Sequence, residues 1–114
     1  MTLSEKQRRF TDCIGKLIGW CYENGFELTF GDAFRSPEQA AANAAAGTGI
    51  ANSVHTIRLA VDFNLFVDGA YKADTESHRP LGDYWKSLDP DARWGGDFKR
   101  QDGNHYSFSH EGRA

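Results

Sequence analysis

The sequence has few of the features that mark disulfide-rich, membrane-spanning or nucleic-acid-binding proteins. It contains only two cysteines, Cys13 and Cys21, and both fall within a predicted helix. At a rise of about 1.5 Å per residue, their Cα atoms would lie about 12 Å apart, which is too far for a disulfide or for a shared metal ion. We therefore interpret both as small apolar residues that face a core.

Long apolar runs are also missing. No stretch approaches the roughly 20 apolar residues that a transmembrane helix requires, and the N-terminal MTLSEKQRRF lacks the apolar core of a secretory signal. The formal net charge of −3 provides no basic surface for a phosphate backbone. These absences predict a protein that is made in the cytoplasm, does not associate stably with membranes and does not bind nucleic acid.

The composition that remains is that of an ordinary globular protein. The sequence has 114 residues, of which 39% are hydrophobic and 25% charged, and it contains only three prolines. A disordered or fibrous chain would have a more biased composition. The length predicts a single domain over residues 1–114, and we expect a monomer.

Helical periodicity predicts a first helix over about residues 4–24, which ends at Asn24-Gly25. Its capping box could pair Thr2 with Glu5 or Ser4 with Gln7, and the sequence favours neither pair. This helix is predicted to be structural in either case.

Two further helices are predicted. One begins at Pro37, with Ser36 as the N-cap and Gln39 as the capping partner, and closes at Gly47. The other covers about residues 79–88 and has an apolar face at helical spacing, formed by Leu81, Tyr84, Trp85 and Leu88.

Alternating apolar and polar residues predict strands at Phe26–Phe30, at residues 59–67 and from His105 onwards. In the second of these, Asp62 and Asn64 lie on the face opposite the apolar side chains, so a carboxylate projects from a rigid strand. Asp68-Gly69 has the composition of a tight hairpin turn. The elements together predict an α+β fold, in which a small antiparallel sheet carries the site and the helices pack to one side.

The histidines and acids form a pattern that suggests a metal site. Ser53-Val54-His55 is followed seven residues later by Asp62, and Asp102-Gly103-Asn104-His105 lies near the end of the sequence. Two imidazoles, one carboxylate and a further acid beside the second histidine are the residues that a catalytic zinc site needs. The residues predict Zn²⁺ held by His55, Asp62 and His105.

These motifs resemble those of the D-Ala-D-Ala carboxypeptidase and VanY-like zinc peptidase family, and in particular its small phage endolysins that cut L-alanyl-D-glutamate bonds. The family pattern is Ser-x-His, Ala-x-Asp and an acid three residues before a final His, matched here by Ser53, His55, Ala60, Asp62, Asp102 and His105. The resemblance extends over about residues 31–108 and includes Phe34-Arg35-Ser36, Gln39 and Trp94-Gly95-Gly96. One position departs from the pattern, because Arg58 stands where the family usually has glycine.

The resemblance implies a zinc peptidase that acts on peptidoglycan stem peptides. Zinc with three protein ligands keeps an open position for water, and a nearby acid must take the water's proton. Asp102 occupies the family's general-base position; Asp97, eight residues before His105, is the competing candidate. Arg35 would stabilise the oxyanion or hold a substrate carboxylate.

Other residues have weaker assignments. Ser53 could donate to a substrate carboxylate or fix the loop before the first histidine, and Gln39 is a candidate substrate contact through the resemblance. His78 and His110 match no ligand motif and are left outside the ligand set.

The resemblance also implies a phage or prophage lysin, which would reach the cell wall after the membrane is permeabilised. Two alternatives remain open: a D-Ala-D-Ala carboxypeptidase or dipeptidase on the same scaffold, and a zinc-stabilised binding module without catalysis.

Overall fold

An antiparallel sheet of five strands forms the centre of the fold in the computed structural model, which describes residues 1–114. The strands are β1 (Phe26–Phe30), β2 (Ala60–Val67), β3 (Ala70–Lys72), β4 (Ala92–Trp94) and β5 (His105–Phe108). The helices are α1 (Leu3–Glu23), α2 (Pro37–Ala45) and α3 (Thr75–Ser87), with two short 3-10 helices, η1 (Val54–Ile57) and η2 (Gly95–Asp97).

Strand β2 is the central strand of the sheet, whose order is β1-β2-β5-β4 with β3 also paired to β2. One end of β2 pairs with β5, in a register that sets Asp62 opposite His105. The other end pairs with β1 and, through the hairpin, with β3. In the hairpin turn, Asp68 and Gly69 have φ angles of 52° and 77°, the left-handed conformations that a tight two-residue hairpin requires.

The core lies between one face of the sheet and the helices α1 and α3. The side chains of Val61, Phe63 and Leu65 are buried there, whereas Asp62 and Asn64 alternate with them on the other face. This confirms the α+β prediction and leaves the carboxylate of Asp62 on the side of the sheet opposite that core.

Both cysteines are buried and free, and burial raises the pKa of Cys21 to about 12.

The helix caps resolve the alternatives that the sequence left open. The Thr2 hydroxyl accepts a hydrogen bond from the Glu5 amide, and the Thr2 amide donates to the Glu5 carboxylate, so this pair forms the capping box of α1. Ser36 caps α2 by accepting from the Gln39 amide. The side chain of Gln39 instead donates to Asn43, so the second capping box is incomplete.

Two elements differ from prediction. Helix α3 begins at Thr75 rather than near residue 79, because Asp74 caps it by accepting from the Ser77 amide. Pro80 lies inside the helix. Strand β4 was not predicted, since three residues are too few to show alternation and the following Gly-Gly pair favours a turn.

None of the helices is both long and apolar enough to cross a membrane.

Candidate metal centre

Three predicted metal ligands converge on the side of the sheet opposite the core. The Nε2 atom of His55 and the Nδ1 atom of His105 each lie 3.4 Å from Oδ1 of Asp62. One ligand atom from each residue lies within 4.8 Å of the other two. No other group of three His, Cys, Asp or Glu side chains in the chain has this proximity.

The backbone explains how residues so distant in sequence meet. Asp62 and His105 are direct partners across the antiparallel β2 and β5 strands, so their side chains leave the same face of the sheet. His55 comes from η1, whose N-cap is Ser53: the Ser53 hydroxyl accepts from the His55 amide at 3.2 Å. Both histidines are nearly fully buried, and all three residues lie within secondary-structure elements.

A second segment, residues 31–35, supports the site from the side. The Gly31 amide donates to the Asp62 carbonyl at 2.8 Å, and the Asp62 amide donates to the Asp32 carbonyl at 2.7 Å. The carbonyl of Ala33 lies 2.9 Å from Nδ1 of His55. A carbonyl can only accept, so Nδ1 carries the proton and Nε2 presents its lone pair towards Asp62.

The electrostatics of the site depend on two imidazoles sharing one carboxylate. Burial alone would raise the pKa of Asp62, but the adjacent His105 and His55 outweigh burial and lower that pKa to about 2. Burial acts to lower the pKa of His55, yet the Asp62 carboxylate and the Ala33 carbonyl raise it above its usual value. Asp62 is therefore ionised near neutral pH.

The donor set fits a zinc ion. Oδ1 of Asp62 is buried without a hydrogen-bond partner, even though one imidazole nitrogen of each histidine lies 3.4 Å from it. Leaving a buried carboxylate oxygen unpaired is costly unless a cation is bound to it. Ligand atoms about 2.0–2.2 Å from a tetrahedral zinc lie roughly 3.4 Å apart, which agrees with the observed spacing.

A polar cleft of about 530 Å³ opens over these residues. Besides the three candidate ligands, its lining includes Arg35, Ser53, Arg100 and Asp102. The cleft therefore brings together every predicted site residue except Gln39. That residue lies on exposed α2 and is not part of the lining.

The structure separates the two candidate general bases. Asp102 is exposed in the cleft, and its side chain makes no hydrogen bond or ion pair. Asp97 lies outside the lining and pairs with Lys86, with Oδ2 2.7 Å from Nζ. Asp102 is thus available to a water molecule or a substrate, whereas Asp97 already has a partner.

Arg35 is held in place but keeps free hydrogen-bonding capacity. Its Nη2 donates to Asp32 at 2.8 Å, and its amide donates to the carbonyl of His55 at 3.2 Å. Its Nε is buried without a partner. A guanidinium held in this way can bind an anionic group that enters the cleft.

The remaining two histidines contact residues outside the candidate metal cluster. His78 is buried in α3 with Nδ1 2.7 Å from the hydroxyl of Tyr106, and burial lowers its pKa. His110 lies near Lys6, with Nδ1 3.5 Å from Nζ. Neither belongs to the candidate metal cluster.

Arg58 occupies a backbone position that suits glycine. It ends η1 in the left-handed conformation, with φ 59° and ψ 38°, where a Cβ atom is unfavourable. This geometry accounts for the glycine that the resembling family usually has there. The guanidinium of Arg58 stacks on the Phe34 ring, 4.1 Å from its centroid, and does not line the cleft.

Comparison with known proteins places these observations in context. A family model described as D-alanyl-D-alanine carboxypeptidase matches residues 46–108. The crystal structure of the Serratia marcescens L-Ala D-Glu endopeptidase ChiX is similar, with 18% identity and a TM-score of 0.70, covering 93% of this chain and 85% of that chain.

A second similar structure is the crystal structure of a mutant of the vancomycin resistance D,D-pentapeptidase VanY, from a VanB-type resistance cassette, in complex with Zn(II). It has 18% identity and a TM-score of 0.59, covering 88% of this chain and 70% of that chain. At these identities the two similarities establish the fold. No curated protein matches the sequence.

Proposed function

Because this chain belongs to the D-alanyl-D-alanine carboxypeptidase family and is therefore a metallopeptidase, we propose that it hydrolyses peptidoglycan stem peptides at a zinc centre held by His55, Asp62 and His105. The observation that carries the proposal is the convergence of these three side chains, at 3.4 Å contacts, on the floor of a polar cleft. Zinc bound there would activate a water molecule for attack on a peptide carbonyl near neutral pH.

Asp102 is the proposed general base. It is an unpaired carboxylate in the same cleft, three residues before the ligand His105. It would accept a proton from the attacking water and deliver that proton to the leaving amine. The ion pair of Asp97 with Lys86, outside the cleft, supports this choice.

Arg35 is proposed to stabilise negative charge on the substrate. Its Nε atom has no partner in the protein, and its Nη2 bond to Asp32 fixes the direction of the guanidinium. A permanently charged donor in this position can stabilise an oxyanion or hold a substrate carboxylate.

Ser53 and Gln39 have smaller proposed parts. The Ser53 hydroxyl accepts from the His55 amide, which supports a role in fixing the histidine loop, although Ser53 also lines the cleft. Gln39 would reach a substrate only if that substrate extended beyond the cleft towards α2, since its side chain bonds Asn43.

The proposed scissile bond is the one between L-Ala and D-Glu, in an endolysin of phage or prophage type. The similarity to an L-Ala D-Glu endopeptidase over 93% of this chain supports that choice. The similarity to a D,D-pentapeptidase keeps cleavage at a D-Ala terminus as the second candidate.

Digestion of purified wall fragments, with mass analysis of the products, tests the proposal. Cleavage between L-Ala and D-Glu, leaving muramoyl-L-Ala on the glycan, is the expected result. Release of free D-Ala would assign the chain to the carboxypeptidase branch. A zinc-loaded protein that cuts no stem peptide would instead be a binding module.

A further inference from the structure

The side chain of Trp94 is closely packed against two glycines. It is fully buried at the end of β4. A Cβ atom at either Gly82 or Gly96 would lie 2.2 Å from an atom of its indole ring. Neither glycine has a positive φ, so close packing against the indole, rather than backbone conformation, requires glycine at both positions.

The indole also makes a buried hydrogen bond to the turn that carries the proposed base. Nε1 of Trp94 donates to the carbonyl of Gly103 at 2.7 Å. Gly103 is the second residue of the 102–105 turn, which the His105 amide closes by donating to the Asp102 carbonyl at 3.1 Å. The indole therefore holds the turn between the base and the metal ligand.

The turn is packed on two further sides. A Cβ atom at Gly95 would lie 2.0 Å from the Asp102 carbonyl oxygen, and one at Gly103 would lie 2.6 Å from Cα of Thr75 in α3. The Asp102 amide donates to the Gly95 carbonyl at 2.9 Å. All of these contacts involve the backbone of the turn. The Asp102 side chain itself has no partner.

We infer that Trp94 is a positioning residue that fixes the carboxylate of Asp102 relative to the three metal ligands. The inference rests on the proposed function for its catalytic meaning, whereas the restraint on the turn follows from the hydrogen bond and the packing alone. Without the indole N–H, the buried Gly103 carbonyl would lose its partner and the turn could shift. A misplacement of about 1 Å at a reacting group can cost roughly 100-fold in rate.

The chain offers a matched control in Trp85. It is also fully buried, and its Nε1 donates to the carbonyls of Arg93 and Ser107 at 2.9 and 3.2 Å. Trp85→Phe and Trp94→Phe therefore remove the same atoms and the same kind of hydrogen bond from one core. Only the second releases a carbonyl of the 102–105 turn.

The experiment measures two quantities for both variants in the zinc-loaded full chain, at a temperature at which each is folded. The first is amide hydrogen exchange of residues 102–105, which needs no activity. The second is kcat and KM on a stem peptide. We expect Trp94→Phe to raise exchange in the turn at least tenfold and to lower kcat about 10- to 100-fold with little change in KM. Trp85→Phe should leave exchange in the turn and kcat within about twofold of wild type.

Equal effects of the two substitutions on the turn and on kcat would show a general loss of packing and overturn the inference, as would unchanged exchange in Trp94→Phe. If the wild-type protein cut no peptide, the proposed function would fail while the exchange comparison still decided whether Trp94 restrains the turn. If Trp94→Phe does not fold, benzothienylalanine at position 94 keeps the bicyclic ring and replaces the N–H with sulfur, which cannot donate, and the same outcomes apply.

Discussion

Replacing Asp102 with Asn should separate proton transfer from metal binding. The substitution keeps the shape of the side chain and removes its basic oxygen. Because the Asp102 side chain is exposed and makes no hydrogen bond or ion pair, the free energy of unfolding should change by no more than about 0.5 kcal/mol. The proposed zinc ligands His55, Asp62 and His105 are untouched, so zinc content should stay near one ion per chain.

The expected loss appears in catalysis. General base catalysis contributes typically 10²–10⁴ in rate. A loss of about 10³ in kcat corresponds to roughly 4 kcal/mol in the activation barrier, about eightfold more than the expected change in stability. Catalysis and folding should therefore respond to this substitution on clearly different scales.

The control is Asp97→Asn. It breaks the pair with Lys86, a partly exposed contact worth about 0.2–1 kcal/mol, and should leave kcat near wild type. Turnover on wall peptide, zinc content by elemental analysis and thermal unfolding are measured on both variants. The assignment of the base would be refuted if Asp102→Asn kept wild-type turnover while Asp97→Asn was inactive. Loss of zinc from Asp102→Asn would make Asp102 a ligand instead.

Four further predictions concern the metal and the backbone around it. His55→Ala and His105→Ala should each lose zinc, as elemental analysis would show, and retention of zinc by both would refute the ligand set. Zinc affinity, measured by chelator competition, should fall as the pH drops through the raised pKa of His55, because the protonated imidazole cannot bind metal; an affinity independent of pH between 5 and 8 would contradict this. Gly95→Ala should lower stability by about 1–3 kcal/mol and kcat by roughly 100-fold, because its Cβ would lie 2.0 Å from the Asp102 carbonyl oxygen; unchanged kcat would exclude the clash. Arg58→Gly should change the free energy of unfolding by less than about 1 kcal/mol. Glycine relieves the strain of the left-handed backbone, but the variant loses the cation–π contact with Phe34 and gains conformational entropy in the unfolded chain, so these effects largely cancel. A loss above about 2 kcal/mol in denaturant titrations would contradict this balance.

Local patterns in the sequence were sufficient for much of the fold. The alternation that placed Asp62 opposite the apolar face of β2 depends only on the twofold period of a strand, and the structure has the same alternation. The Asp68-Gly69 turn was equally predictable, because few other residue pairs adopt two left-handed conformations in succession. The start of α3 was not, since its apolar face marks only the later turns of the helix and the cap by Asp74 lies before them.

The sequence by itself determined which residues could form the site: the motifs around His55, Asp62 and His105 supplied the donor types of a zinc centre before any geometry was known. Only the tertiary structure decided how they meet, because the register of β2 against β5 joins residues that are 43 positions apart (105 minus 62). It also distinguished Asp102 from Asp97, through an ion pair with Lys86 that no local pattern encodes. Backbone contacts such as the Ala33 carbonyl on His55 carry no signature in residue type, because every residue has the same carbonyl and only the path of the chain selects one.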